Sequence, residues 1–289
     1  MESQNAKEPK LITHSVKKIS NDYLSISVAG NGFFNSHAIN TITGEPYNIM
    51  FSSKDSFSTS FTTIKIDDIN FVYGLIGQMI QEPKEFPEFK NESIYKYRNI
   101  EVKQTLQIVK NTFNNYDDGM YKYTVTNNDS ISHSVGVRIM IDTMIQDNDG
   151  AQLFIPNIGT INNEMDFAGS DIPRYWQVLY SNDNLNTSAK GTLISEVVTT
   201  PDRFVIAAWP NIKITTWDYE INNSIAITSD SAVAIYWNSV IIEPGESREF
   251  ITFYGLNTIE NANKFEESNA KNNNINKNSI TRGINVFRY

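Results

Sequence analysis

Between Tyr121 and Ile145 the chain reads YKYTVTNNDSISHSVGVRIMIDTMI, with apolar residues at Tyr121, Tyr123 and Val125, then at Val135, Val137, Ile139 and Ile141. Only an extended strand sends alternate side chains to one face, so a strict period of two on both sides demands two strands with one buried face each. Asn127, Asn128, Asp129 and Ser130 lie between them and tolerate the backbone angles of a turn. The stretch is therefore expected to be a long β-hairpin at the centre of a sandwich.

The same short-strand rhythm recurs along the chain. Leu24, Ile26 and Val28 alternate before Gly30-Asn31-Gly32, and Ile64 and Ile66 are followed by Asp67-Asp68 and then Ile69, Phe71 and Tyr73, a tight hairpin. From Asn35 to Phe57 the pattern fades into Ser, Asn, Gly44 and Pro46, which reads as a long surface loop. Pro83 and Pro87 limit any helix in 74–93 to a short one. Leu106 and Ile108 face inward from one or two further strands. Val233, Ile235 and Trp237 share a face, and Pro244-Gly245-Glu246 turns into a last sandwich strand. Gly, Pro and Asn punctuation at this spacing predicts an all-β fold, a large two-sheet antiparallel β-sandwich, with a short helical or flexible C-terminal segment. The domain spans 21–257, after an N-terminal arm over 1–20 that is either mobile or an edge strand. A polar linker or short helix follows over 258–280, where Asn, Lys and Glu crowd out apolar residues. The last nine residues, 281–289, read as a strand.

At 289 residues a core can form without staples, and the absence of cysteine excludes disulfides, thiolate metal sites and a Cys nucleophile. A net charge of −9 argues against nucleic acid or an anionic membrane as partner. The opening MESQNAKEPKLITHS carries no apolar run of signal-peptide length, and no window approaches the ~18 apolar residues of a membrane span. The expectation is a soluble chain made in the cytoplasm, with no membrane insertion, that reaches a cell surface, spore or matrix only by a non-classical route.

The segments YTVTNNDSISHSVGVRIMIDTMIQDNDGA, DIPRYWQ, KGTL with TPDRFVIAAW, WDY, and DSAVAIYWNSVIIEPGESREFITFYGL follow one another in an order and spacing that resemble a poorly characterised β-domain family of bacterial surface and envelope proteins. The resemblance covers about half the chain. It implies the supersandwich of galactose mutarotase-like proteins, a group that includes sugar epimerases, accessory domains of glycoside hydrolases and domains without chemistry. Such a fold carries no function by itself.

The candidate sites compete with plainer readings. The histidines are His14, His37 and His133; a sugar epimerase needs a His acid with a carboxylate base, and no partner motif surrounds any of them. Glu164, Asp166, Asp171, Asp218 and Glu220 are many, but no spacing selects a hydrolytic pair. No catalytic residue is assigned. Trp176 and Trp217, with Tyr175 and Tyr219, sit in polar contexts and suit an aromatic platform for a sugar ring, against core packing as the alternative. Asp147 and Asp149 in DNDG, with Asp142 upstream, offer oxygen ligands for Ca²⁺, against a simple turn and an Arg138–Asp142 ion pair. Beyond that weak calcium signal no cofactor is expected.

Ile284, Val286 and Phe287 on the tethered final strand suit addition to a sheet edge of a second copy. The leading expectation is therefore a structural or adhesive, self-associating protein, a homo-oligomer or surface polymer. A carbohydrate-binding module comes second, and a sugar epimerase or glycan-active enzyme third.

Overall fold

The computed structural model describes residues 15–40, 42–53, 59–111, 114–181 and 184–256. In chain order the strands are β1 (Val16–Ser20), β2 (Leu24–Ala29), β3 (Phe34–Ile39), β4 (Pro46–Asn48), β5 (Phe61–Ile66), β6 (Ile69–Val72), β7 (Gln78–Phe86), β8 (Lys90–Tyr97) and β9 (Ile100–Val109). There follow β10 (Asp118–Asn127), β11 (His133–Thr143), β12 (Gln152–Ile155), β13 (Gly159–Ile161), β14 (Met165–Ala168), β15 (Tyr175–Ser181), β16 (Asn184–Thr192), β17 (Arg203–Ala208), β18 (Ser231–Ile242) and β19 (Ser247–Leu256). A 3-10 turn at Gly169–Asp171 and one turn of helix, α1 (Trp209–Ile212), complete the described elements.

One layer is a nine-stranded sheet in the order β13-β12-β15-β16-β19-β10-β9-β8-β7. The second layer is split into a six-stranded sheet, β14-β17-β18-β11-β5-β6, and a four-stranded sheet, β1-β2-β3-β4. Single bridges Phe34–Ser60 and Met50–Thr143 join these two sheets side by side. One apolar core draws on all three: Leu24, Ile26 and Phe34 from the four-stranded sheet, Ile139 and Trp237 from the six-stranded one, and Tyr121, Trp176 and Tyr254 from the nine-stranded one. The all-β sandwich expected from the alternation is what forms.

The central stretch departs from expectation in an informative way. Its two strands do not pair with each other. β10 pairs with β9 and β19 in the nine-stranded sheet, whereas β11 pairs with β5 and β18 in the six-stranded one. The polar turn is a corner where the chain changes layers, and β18 returns to β19 across the same corner. Asn127 ties the two crossings together. Its side-chain amide donates to the carbonyls of Ile131 and Ile242, at 2.8 and 2.9 Å, while its own N–H donates to Glu246 and its carbonyl accepts from Gly245. Alternation defines which face is buried but not which neighbour supplies the ladder.

Two other stretches also differ. The polar run from Asn35 holds strands β3 and β4, not a surface loop, because its small polar side chains are buried with partners: Ser36 hydrogen-bonds the Tyr121 hydroxyl. Residues 78–86 form strand β7 despite Pro83, which is tolerated because β7 is the outermost strand and its register is irregular on both sides of Gln81. The expected linker or short helix over 258–280 and the final strand with Ile284, Val286 and Phe287 lie outside the described residues. Among the described residues no helix is long and apolar enough to cross a membrane.

Candidate functional site

Among the described residues, the outward face of the nine-stranded sheet carries a cleft. Residues paired directly across antiparallel strands point to the same side. Lys190 of β16 pairs with Gly255 of β19, and Gly255 with Asp118 of β10, so these three make one row. The next row on that face runs Tyr175, Thr192, Phe253, Met120. Both rows alternate with the inward Trp176, Tyr121 and Tyr254, and so face away from the core.

Gly255 lets the strands approach closely beside the cleft. A Cβ there would lie 2.3 Å from the Asp117 carbonyl oxygen and 2.7 Å from the Asp118 Cα, so only glycine lets the strands close. Asp118 and Lys190 pair with Gly255 from its two sides, two strand spacings or roughly 10 Å apart, and the Asp118 carboxylate leans over the glycine, its Oδ1 3.1 Å from where a Cβ would lie. The cleft over these rows has a volume of about 530 Å³ and is walled by Lys110, Arg174, Ile194 and Glu196. Asp118 is 6% exposed and its Oδ1 has no hydrogen-bond partner. Burial pushes its carboxyl up from the usual range, and the charge of Lys190 works against that shift. The cleft thus combines a half-buried aromatic surface from Tyr175 and Phe253, a buried carboxyl and three cations, Lys110, Arg174 and Lys190. An apolar wall with a few converging polar groups is the usual make-up of a small-molecule site.

The four aromatics expected as a sugar platform are dispersed. Tyr175 lines the cleft. Trp176, its neighbour on the other face, is fully buried, stacked on Tyr254 at 5.0 Å and beside Phe204 at 5.7 Å, so its ring faces are taken by the core. Trp217 and Tyr219 belong to a second apolar cluster, where residues 209–221 roof the outer face of the six-stranded sheet. There Trp217 meets the ring of Tyr236 edge to face, and the Tyr219 hydroxyl donates to Glu164 at 2.6 Å.

Arg138 also lies under that roof, donating to the carbonyls of Thr215 and Ile212. The Arg138–Asp142 ion pair is therefore replaced by a tie between sheet and roof. Glu164 and Asp166 serve the same cover, Asp166 by accepting from Arg203 at 2.7 Å. His133 sits at the corner between layers, its Nδ1 2.8 Å from Asp67 and its Nε2 3.5 Å from Asp129. His37 is on β3, where burial lowers its pKa, and His14 lies outside the described residues. Neither of the two described histidines, His37 and His133, lines the cleft. Of the two expected metal ligands, Asp149 is brought to Asp142 and Asp230, whereas Asp147 stays exposed beside the Tyr180 hydroxyl.

Sequence reasoning missed Asp118, Lys190 and Phe253. Their signal is faint: a glycine interrupting the otherwise apolar alternation of FITFYGL, and an acidic pair at the mouth of the preceding long strand.

No family model matches the chain, and no curated protein matches it in sequence. Solved structures do share its fold. A candidate aldose 1-epimerase from Escherichia coli K12 superposes with a TM-score of 0.51 at 10% identity, covering 85% of this chain and 99% of that one. A galactose mutarotase-like protein from Lactobacillus casei gives 0.51 at 10%, covering 84% and 100%. A candidate aldose 1-epimerase from Klebsiella pneumoniae gives 0.51 at 11%, covering 89% and 83%. The fold is that of galactose mutarotase-like proteins. These neighbours are named for sugar epimerisation and not for self-assembly, which corrects the expectation of a structural, self-assembling protein; the strand invoked for assembly lies outside the described residues.

Proposed function

We propose that the protein binds an aldose-type sugar in the cleft lined by Asp118, Tyr175, Lys190 and Phe253 and interconverts its anomers. The observation that carries this reading is the buried, unpartnered Oδ1 of Asp118 at the floor of an aromatic-walled cleft, on a fold whose solved examples include candidate aldose 1-epimerases.

Anomer exchange needs a base for the proton of the anomeric hydroxyl and an acid for the ring oxygen. In this reading the Asp118 carboxylate takes the hydroxyl proton, the C1–ring-oxygen bond breaks, and the Lys190 ammonium gives a proton to the departing ring oxygen. The open-chain aldehyde rotates about its C1–C2 bond and closes by the reverse transfers. Asp118 is fit for this because burial raises its carboxyl, making it a stronger base once ionised. The position of Lys190 across Gly255 puts acid and base on opposite sides of one sugar ring. Tyr175 and Phe253 offer flat surface to the sugar's C–H face.

The test is equilibration of freshly dissolved pure anomers of a panel of neutral and acidic aldoses, followed by polarimetry or NMR. Wild type accelerates at least one above buffer, and Asp118→Asn loses about 100-fold or more of that rate while keeping its melting temperature. No acceleration of any aldose by wild type overturns the enzyme. Saturable sugar binding without acceleration, abolished by Tyr175→Ala, replaces it with a binding module, the reading that the aromatic wall alone favours.

A further inference from the structure

On the other layer, and independent of the cleft, three carboxylates from distant parts of the chain converge. Asp142 ends the outward row of β11, which also holds Arg138 and Met140. Asp149 comes from the turn that follows, and Asp230 immediately precedes β18. Close backbone approach draws them together: a Cβ at Gly150 would lie 2.0 Å from the Thr228 carbonyl oxygen, so only glycine lets the turn lie against residues 228–229. The Asp149 carbonyl then accepts from Ser231, and the Asp230 carbonyl from Trp209. One carboxylate oxygen from each aspartate lies within 4.8 Å of the others.

Proximity alone would make this an ordinary acidic patch. What sets it apart is that Asp142 is 1% exposed, with one oxygen held by the Thr59 hydroxyl and the other, Oδ1, without any hydrogen-bond partner. Asp149 and Asp230 each also have a buried Oδ1 without a partner. A carboxylate removed from water needs a proton, a hydrogen-bond donor or a cation. We propose that Asp142, Asp149 and Asp230 form a binding site for one divalent cation of the calcium class.

The donor set is all oxygen and anionic, which selects a hard cation over zinc or copper. The half-buried Asp149 and Asp230 leave room for water to complete the six to eight ligands that calcium takes. Among the described residues the charged groups acting on Asp142 are Asp149, Asp230 and, opposing them, Lys213. A cation among the three would offset the mutual repulsion of carboxylates that lie this close and partly out of water.

Melting temperature is measured at pH 8 in EDTA and in CaCl₂, MgCl₂ or MnCl₂ up to about 10 mM, above the roughly 0.1–1 mM affinities of weak extracellular calcium sites. Terbium luminescence gives an independent titration. The expected result is a cation-dependent rise in melting temperature that saturates, matched by a saturable terbium signal that calcium competes away. Asp230→Asn weakens binding by at least about tenfold yet melts no lower than wild type in EDTA, because it removes a repelling charge. No shift with any of the three cations at pH 8, or an equal shift in wild type, Asp149→Asn and Asp230→Asn, overturns the site. Asp149→Asn is the second variant because its side chain is half-exposed and its loss does not threaten folding.

Discussion

Glu164 and Asp142 are both almost wholly buried acids at the outer side of the six-stranded sheet, 2% and 1% exposed, yet their surroundings are opposite. Glu164 is encircled by donors. Its Oε1 accepts from the Ala208 N–H, the Asn211 amide and the Tyr219 hydroxyl, and its Oε2 from the Asn222 N–H. Asp142 has one hydroxyl, an empty Oδ1, and two more carboxylates at hand. The first is a pin that fastens the roof over Trp217 and Tyr236; the second is a buried acid short of donors, the feature on which the proposed cation site rests. What separates structural from receptive buried charge is thus the count of donors, not the degree of burial.

The largest effect expected is from removing the pin. Glu164→Ala strands two backbone N–H groups and a tyrosine hydroxyl, and should lower stability by about 3 kcal/mol in urea unfolding, with early proteolysis in 209–227. Asp142→Ala in EDTA should cost much less, since it removes one side-chain hydrogen bond, from Thr59, and strands no backbone donor. Equal losses for the two would break the comparison.

The second effect is in pH. The Asp142 carboxyl sits at about 8 in the fold against 3.8 as the ordinary value, and Asp230 at about 6, burial being the main cause for both. The folded state therefore binds more protons than the unfolded state between those limits. In EDTA, stability should be full below about pH 4, decline through the window up to about 8, and level off above it. Above about pH 6 Asp142 alone sets the decline, at most about 1.4 kcal/mol per pH unit, and between about 4 and 6 both carboxyls contribute, up to about twice that before water screening of the partly exposed Asp230 reduces it. Asp142→Asn should flatten the curve, and calcium should restore the wild-type plateau at alkaline pH. A wild-type profile that is flat from pH 5 to 8 in EDTA would show that these carboxyls titrate normally.

The sequence made part of this legible. Period two at Tyr121–Val125 and Val135–Ile141 marks buried faces because side-chain alternation is local. The layer change at Asn127 was not legible, because it depends on β9, β19, β5 and β18, whose pairing is a long-range outcome. For the same reason DNDG pointed to Asp149 and, with the residue upstream, to Asp142, while Asp230 had no local tie to them. The cleft was hidden further still. Asp118, Gly255 and Lys190 become one row only when three strands from separate parts of the chain fall into register. Trp176 illustrates the converse failure: PRYWQ looks polar, yet a single step along β15 separates the outward Tyr175 from the buried indole.

The smallest effect expected sharpens the comparison from the exposed side. Asp67, at the β5–β6 turn, accepts from the Ser134 N–H at 3.0 Å and contacts His133 Nδ1 at 2.8 Å, with its side chain 45% exposed. Its slight burial tends to raise its pKa, but the Ser134 N–H and His133 outweigh this and hold it below the ordinary value. A depressed carboxyl stabilises the fold above its unfolded pKa of about 4, and that contribution is lost as the pH falls below it. Water screens so exposed a group, so Asp67→Asn, which keeps an acceptor for Ser134, should cost under about 1 kcal/mol at pH 7. The difference should vanish at pH 3 and shrink in 1 M salt, read as paired melting temperatures. A loss as large as that of Glu164→Ala would mean that donor count governs exposed and buried carboxylates alike, and burial would drop out of the rule.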